Sequence, residues 1–392
     1  MENSKPHSLW MVCTILIVVL VVHGAWTRDK LIYTRILNKA QILLSTKEDT
    51  TKEDAAILAS IINNTDDKRN TAPTTEVHKT KDTIHIGFVG DIIPGIDAYP
   101  NMFSDITSYT EKPEVMIANF EGAATDSIFS KCKIDSKNCF SFNGNDIFLK
   151  LLRDASFDVL NVANNHFNDY REVGQIDTIR NIREIGLIPS GMKGEVTYIT
   201  KNNIKISLVG FSNYSWTNDL NRTNEVANLI QEADKDADIV VVVFHGGGEG
   251  ASYSHTPREV EWYLGENRGD LRAFAHNAID SGADLVLGSG PHVLRGIEWY
   301  ENKLIAYSLG NFAMADGILT TGTLKNSGML NVTLDKHGSK ISGNIESFEI
   351  DRYGIPRPDL SNTAITIINN LSQSDFGEQG VKLNPLGEIK IK

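Results

Sequence analysis

At 392 residues, 41% hydrophobic and 22% charged, the chain has the length and composition of a globular protein with room for one or two cored domains. Its formal net charge of -12, with no Lys/Arg-rich block to offset it, argues against a nucleic-acid partner, whose phosphates would meet a mostly acidic surface.

The first element in chain order is apolar. Leu9 to Trp26, LWMVCTILIVVLVVHGAW, holds no charged residue unless His23 is protonated. It approaches the length that crosses a bilayer, with Trp10 and Trp26 as interfacial anchors. Residues 1–30 are therefore read as an N-terminal transmembrane anchor, with a cleaved signal peptide as the competing reading. Lys5 precedes the segment and Arg28, Lys30 and Arg35 follow it; taken alone, that asymmetry keeps the bulk of the chain in the cytoplasm. The cysteines pull the other way. Cys132 and Cys139 bracket a short polar stretch, CKIDSKNC. Its ends are either two free thiols or a disulfide worth about 2–3 kcal/mol, which persists only in an oxidising compartment. The expectation is a domain outside the cytoplasm, tethered by its N-terminus.

Residues 31–82 read as a stalk, partly helical: LIYTRILNKAQILL has helical spacing, and a Thr-, Asp-, Lys- and Asn-rich stretch follows. From Thr83 apolar, β-branched runs alternate with helical patterns. The runs are IHIGFVGD, EVMIANFEG, FDVLNVANNH, IKISLVGF, ADIVVVVFHGG, ADLVLGSGPH and KLIAYSLGNF. Helices are predicted at 146–155, 172–185, 225–236 and 270–281. Buried strands flanked by helices indicate an α/β layered fold, covered on both faces, over residues 83–320. Residues 321–392 form a β-rich extension of the same domain, where GMLNVTLDKHGSKISGNIESFEIDRYG alternates with period two around a DKHG turn.

Polar residues fall at the ends of the apolar runs. Asp91 follows IGFVG, Asn119 and Glu121 follow EVMIA, and Asn164, Asn165 and His166 follow VLNVA. His245 follows IVVVVF, His292 follows LVLGSGP and Asn311 follows AYSLG. In α/β sheets the carboxyl ends of strands share the edge where ligands bind. Each residue alone has a structural reading: Asp91 as a turn former, Asn164 or Asn165 as the cap of a helix starting near Tyr170, a strand-end His as a hydrogen-bonded core residue. Together, imidazole nitrogen and carboxylate oxygen are the ligand set of zinc, manganese or iron. The glycine-rich HGGGEG lacks the Lys-Ser/Thr of a phosphate loop and is read as letting backbone approach a ligand or metal closely. There is no G-x-S-x-G elbow, H-E-x-x-H or paired C-x-x-C.

VGDIIPG, ANFEG, NVANNHFNDY, a strand-end FHGG and GPHVLRGIEWYENKLIAYSLGNF resemble, in order and spacing, the CapA (PgsA) family of poly-γ-glutamate capsule proteins. The resemblance implies an N-terminal membrane anchor and work on the outer side of the cytoplasmic membrane. It also implies a calcineurin-like metallophosphoesterase fold, a four-layer β-sandwich flanked by helices. By that resemblance Asp91 is the first metal ligand, Glu121 (or Asn119) the bridging carboxylate, Asn165 a ligand, and His245 and His292 later ligands. His166 is then the acid that protonates the leaving group, with Asn119, Asn164 and Asn311 lining the pocket. Two positions depart from the pattern: Ile93 stands where the first motif has His, and Ser289 where the last has one. One divalent ion (Mn, Fe, Zn or Mg) is accordingly expected in preference to two.

The functional expectation is a membrane-anchored protein of poly-γ-glutamate synthesis or export, acting on the polymer as a metal-dependent hydrolase or transferase beside membrane-embedded synthase subunits. Two alternatives stand with it: a non-catalytic assembly subunit, and a metal-dependent phosphoesterase of small substrates. Arg171, Arg258, Arg268, Arg272 and Arg295 are the candidate basic groups for an acidic polymer.

Overall fold

The computed structural model describes residues 82–96, 98–133, 139–315 and 321–390. The predicted anchor and nearly all of the predicted stalk lie outside them; among the described residues no helix is long and apolar enough to cross a membrane.

Two sheets carry the fold. The labelled strands are β1 (Thr83–Ile93), β2 (Val115–Phe120), β3 (Val159–Asn161), β4 (Ile188–Ser190), β5 (Thr197–Lys201), β6 (Ile204–Ser212) and β7 (Ile239–His245). They continue with β8 (Leu285–Ser289), β9 (Ile297–Tyr300), β10 (Lys303–Ala306), β11 (Asn311–Met314), β12 (Asn326–Asp335), β13 (Lys340–Ile350) and β14 (Pro356–Pro358). The first sheet runs β14-β13-β12-β1-β2-β3-β4, with β11 parallel to the end of β1; the second runs β9-β10-β8-β7-β6-β5. β1 to β4 are mutually parallel, as are β6, β7, β8 and β10, whereas β12, β13 and β14 return antiparallel.

The strands bury both faces, which is why they read as unbroken apolar runs. In β7, Ile239, Val241 and Val243 point into the layer between the sheets, alongside Ile86 and Phe88 of β1 and Leu285 and Leu287 of β8. Val240, Val242 and Phe244 point the other way, onto helices α3 (Thr223–Lys235) and α4 (Leu271–Asp280) through Val226, Ile230 and Phe274. The first sheet is covered likewise by α1 (Asp146–Asp154) and α2 (Arg171–Glu184), through Phe148, Leu152 and Ile182. The outcome is four layers, helix, sheet, sheet, helix. Each fully buried Val, Leu, Ile or Phe contributes about 1.5–3 kcal/mol, so this double burial supplies the driving force for the layering.

The four helices predicted between residues 146 and 281 form within two residues of their expected bounds. Asn145 caps α1 by accepting from Phe148 N at 3.0 Å, and Asp270 caps α4 by accepting from Ala273 N at 3.0 Å. α2 has no side-chain cap, so neither Asn164 nor Asn165 serves that purpose. The period-two stretch forms the β12–β13 hairpin, turned at Asp335, whose carboxylate accepts from His337 N and Ser339 N. A further helix, α5 (Thr363–Phe376), closes the inter-sheet layer with Ala364, Ile365 and Ile368.

One backbone detail positions the site. The register of β1 against β2 shifts between Val89 and Asp91, leaving Gly90 as the bulged residue. A Cβ there would lie 1.9 Å from Gly310 O, so only glycine lets β1 meet the turn before β11. Asp91 N–H donates to that same carbonyl at 3.1 Å. Bulges re-aim side chains at strand ends, and this one delivers Asp91 to the edge where both sheets finish.

Candidate metal centre

The carboxyl ends of β1, β2, β7 and β8 meet at one largely buried edge. Asp91, Asn119, Glu121 and His245 are all fully buried there. Asp91 Oδ1 accepts from Asn119 Nδ2 at 2.8 Å and lies 3.6 Å from His245 Nδ1; its Oδ2 lies 3.1 Å from His292 Nδ1 and accepts from Gly290 N at 3.3 Å. The two sheets are thus stitched together through one carboxylate.

Glu121 stands at the centre. Its Oε1 lies 3.8 Å from His166 Nε2, 3.9 Å from His245 Nε2 and 3.6 Å from His292 Nε2. None of these is a hydrogen bond. Both Glu121 oxygens and His245 Nε2 are enclosed without a hydrogen-bond partner, and so is Asn165 Oδ1. A buried polar atom left unpartnered costs about 1–3 kcal/mol, more when charged, so several together call for an occupant. Ligand atoms of Asp91, Glu121 and His245 lie within 4.8 Å of one another. Around an ion with ligand distances of ~2.0–2.2 Å, ligands stand about 3–3.5 Å apart, so the cavity needs only a small contraction to hold a divalent cation. The donor set of carboxylate oxygen and imidazole nitrogen fits manganese, iron or zinc.

Two neighbours orient the ligands. Asn119 is fully engaged: Oδ1 accepts from Asn161 at 3.1 Å and Asn164 at 3.2 Å, while Nδ2 serves Asp91 and faces His245 Nδ1 at 3.2 Å. Of the two residues considered for the bridging position, Glu121 therefore has the free oxygens. Asn164 also donates to Phe120 O at 2.8 Å and accepts from His166 N at 3.0 Å, which makes it a scaffold for the neighbouring loop. His292 adopts a left-handed backbone, φ 58, a conformation costly for a non-glycine residue and tolerated where the surroundings enforce it. Asn311 enforces it. Its Oδ1 is 2.8 Å from His292 Nδ1 and its Nδ2 donates to His292 O at 3.2 Å. With Nδ1–H held by Asn311 and Asp91, His292 Nε2 is the ring nitrogen left facing Glu121.

Burial and the neighbouring charges pull the ionisable groups of the site in opposite directions. Burial alone would raise Asp91, but the flanking His245 and His292 hold it well below the usual carboxylate range. Burial drives Glu121 well above that range. Burial also opposes charge on His292, yet Glu121, Asp91 and Glu249 outweigh it and push the ring up to about 10. Burial lowers both His245 and His166, keeping them neutral and able to donate a lone pair.

Sequence reasoning missed Asp169, although it lies three residues after His166. Fully buried, it takes His166 Nδ1 at 2.7 Å, Phe142 N at 2.7 Å and Lys131 Nζ at 2.6 Å, and the Phe142 ring packs 4.2 Å from the imidazole. Lys131 and Phe142 flank Cys132 and Cys139, which are joined as a disulfide.

Residues 85–316 match the family described as "Bacterial capsule synthesis protein PGA_cap". The chain belongs to this family. Among curated relatives it is 30% identical over 295 residues to the PGA biosynthesis protein CapA of Bacillus subtilis, covering 69% of this chain and 72% of the relative. It is 27% identical over 303 residues to the capsule biosynthesis protein CapA of Bacillus anthracis, covering 70% and 69%. Among solved structures, a 5'-nucleotidase precursor from Thermus thermophilus superposes with TM-score 0.37 at 11% identity, over 74% of this chain and 59% of that one. The purple acid phosphatase PPD1 of yellow lupin gives TM-score 0.34 at 12% identity, over 68% and 51%. This chain spans less than two thirds of either structure, and at these scores neither likeness bears on chemistry.

For this capsule-family chain, the arginines singled out as basic groups divide sharply. Arg295 is buried in a bidentate pair with Glu261 at 2.8 and 2.6 Å. Arg268 is held by Glu249 at 2.8 Å, and Arg272 donates to the Asp375 carbonyl and covers the Phe376 ring at 4.3 Å. These three are spent on internal carboxylates, carbonyls and rings because a buried guanidinium must be paired. Only Arg171 and Arg258 are exposed.

Proposed function

We propose that the chain is a membrane-tethered, extracytoplasmic protein of capsular poly-γ-glutamate synthesis or export, with a metal-dependent hydrolase or transferase centre of calcineurin-like metallophosphoesterase type. The polymer comes from the relative named a PGA biosynthesis protein. The tether comes from the apolar segment at 9–26, and the Cys132–Cys139 bond supports the oxidising side of a membrane. The observation that carries the catalytic part is the Glu121 carboxylate, buried without a hydrogen-bond partner and faced by three imidazole Nε2 atoms at 3.6–3.9 Å.

Asp91, Glu121, His245 and His292 would hold the divalent ion, with Asn165 Oδ1 as a neutral oxygen donor. Such an ion supplies a polarised acyl or phosphoryl oxygen and an acidified water. The residues do the rest. Asn119 and Asn311 fix the ligand rings, and Asp169 holds His166 Nδ1–H so that Nε2 is the nitrogen that takes up the proton released by the attacking water and returns it to the leaving group. The partners are synthase subunits in the membrane, with the acidic polymer as substrate.

Complementation tests the reading. In a host lacking its own copy of the gene, the Asp91→Ala/His245→Ala chain should accumulate, as judged by immunoblot, yet make no capsule. Capsule made by that variant would remove catalysis from the pathway and leave the assembly-subunit reading. Turnover of a chromogenic phosphodiester by the wild type, lost in His166→Ala while capsule persists, would favour a small-substrate phosphoesterase.

A further inference from the structure

The loop after β7, Gly246 to Gly250, is pinned at several points. Gly246 N donates to Ser289 O at 3.0 Å, Gly247 N to Arg268 O at 2.9 Å, Gly248 N to Glu261 Oε2 at 3.0 Å and Gly250 N to Pro291 O at 2.9 Å. The last of these ties the neighbour of Glu249 to the neighbour of His292. Glu249 Oε2 consequently stands 3.9 Å from His292 Nε2, the atom that also faces Glu121 Oε1 at 3.6 Å.

A buried cation fixes the other oxygen. Arg268, 2% exposed, donates Nη2 to Glu249 Oε1 at 2.8 Å and Nη1 to Tyr214 OH at 3.1 Å. Its guanidinium lies 5.8 Å from the ring centres of Tyr214 and Tyr263. With Oε1 held by Arg268, Oε2 is the oxygen that faces His292.

We infer that Glu249 is a third carboxylate ligand of the metal centre, closing a cation position between Glu121 Oε1, His292 Nε2 and its own Oε2, with Arg268 as its positioning residue. The inference rests on the metal reading above and deepens it. Where Ile93 and Ser289 offer no imidazole, an acid on the glycine-rich loop fills the coordination shell from another direction. An oxygen-rich set with one imidazole favours a harder ion, manganese or magnesium, over zinc.

The test is calorimetric titration of the chelator-stripped full chain with MnCl2, with electron paramagnetic resonance counting free Mn2+. Glu249→Gln retains an oxygen for Arg268 but withdraws the anionic ligand. It should weaken Mn2+ binding at least tenfold, or remove one of two equivalents, while the metal-free melting temperature stays within a few degrees of wild type. Unchanged affinity and stoichiometry in Glu249→Gln would overturn the inference and leave the metal centre intact. No Mn2+ binding by the wild type would overturn both. Should Glu249→Gln fail to fold, Glu249→Asp, which keeps the charge for Arg268 on a shorter arm, must show the same weakening.

Discussion

Asp169 Oδ2 and His166 Nδ1 lie 2.7 Å apart, and the fully buried Asp169 carboxylate has Lys131 and the Phe142 amide as its other partners. The carboxylate selects the Nδ1–H tautomer and leaves Nε2, 3.8 Å from Glu121, as the atom that exchanges protons. Asp169→Asn keeps the shape and loses that selection. Turnover of whichever substrate the centre accepts should fall about 10–100-fold. Nitrogen-15 NMR of the His166 ring should show the Nδ1–H signal of the wild type replaced by mixed tautomers. An unchanged ring spectrum would show that Asp169 is not the orienting group.

The disulfide has a measurable role of its own. Cys132 and Cys139 close a loop with sequence separation 7, and the legs of that loop supply Lys131 and Phe142 to Asp169. On the chain-entropy model the cross-link stabilises by about 2–3 kcal/mol. A Cys132→Ser/Cys139→Ser chain should lose about that much in urea unfolding. Its His166 ring should also show broadened NMR signals, because the Asp169 clamp loosens. Loss of stability with an unaltered ring would confine the bond to a purely thermodynamic role.

Lys340 offers a pH-dependent test away from the centre. Its Nζ is buried without a hydrogen-bond partner, 4.4 Å from the centre of the Trp299 ring, and burial lowers it to about 8. The unfolded chain, with an ordinary lysine value near 10.4, binds this proton more tightly than the folded one. Stability should therefore rise with pH between about 8 and 10, and the penalty is present in full below 8. Lys340→Met removes it. After discounting for partial exposure and the favourable ring face, the gain is about 1–2 kcal/mol at pH 7. Melting curves at pH 7 and pH 10 check this: the difference between variant and wild type should shrink at the higher pH, and a constant difference would contradict the assignment.

How much of this was legible in the sequence follows from what kind of interaction each feature needs. The strands were readable because double burial demands runs such as IVVVVF, and those runs visibly end in Asp91, Glu121, His245 and Ser289. Since parallel strands bring their carboxyl ends to one edge, the gathering of Asp91, Glu121, His166, His245 and His292 is inferable from the sequence. The roles of Asn119 and Asn164 were not, because a carboxamide reads equally as ligand, cap or scaffold until its partners are known. Asp169 and Glu249 escaped notice for a related reason. Each sits on a loop, and only tertiary pinning by Phe142, Lys131, Pro291 and Arg268 aims it inward. Arg268, Arg272 and Arg295 are not available basic surface, and local sequence does not show that Glu249, the Asp375 carbonyl and Glu261 claim them.

The central claim is that the cavity around Glu121 is built for a cation, and its most direct test is the stability of Glu121→Gln with and without metal. In chelator, replacing a buried, unpartnered carboxylate by a neutral amide should stabilise the protein by about 1–2 kcal/mol. In Mn2+ at a hundred times the dissociation constant the wild type should gain about 2.7 kcal/mol and the variant almost nothing, so the order of their melting temperatures reverses. A variant that melts below the wild type in chelator, or that gains as much from Mn2+, would mean that Glu121 serves the fold and holds no ion.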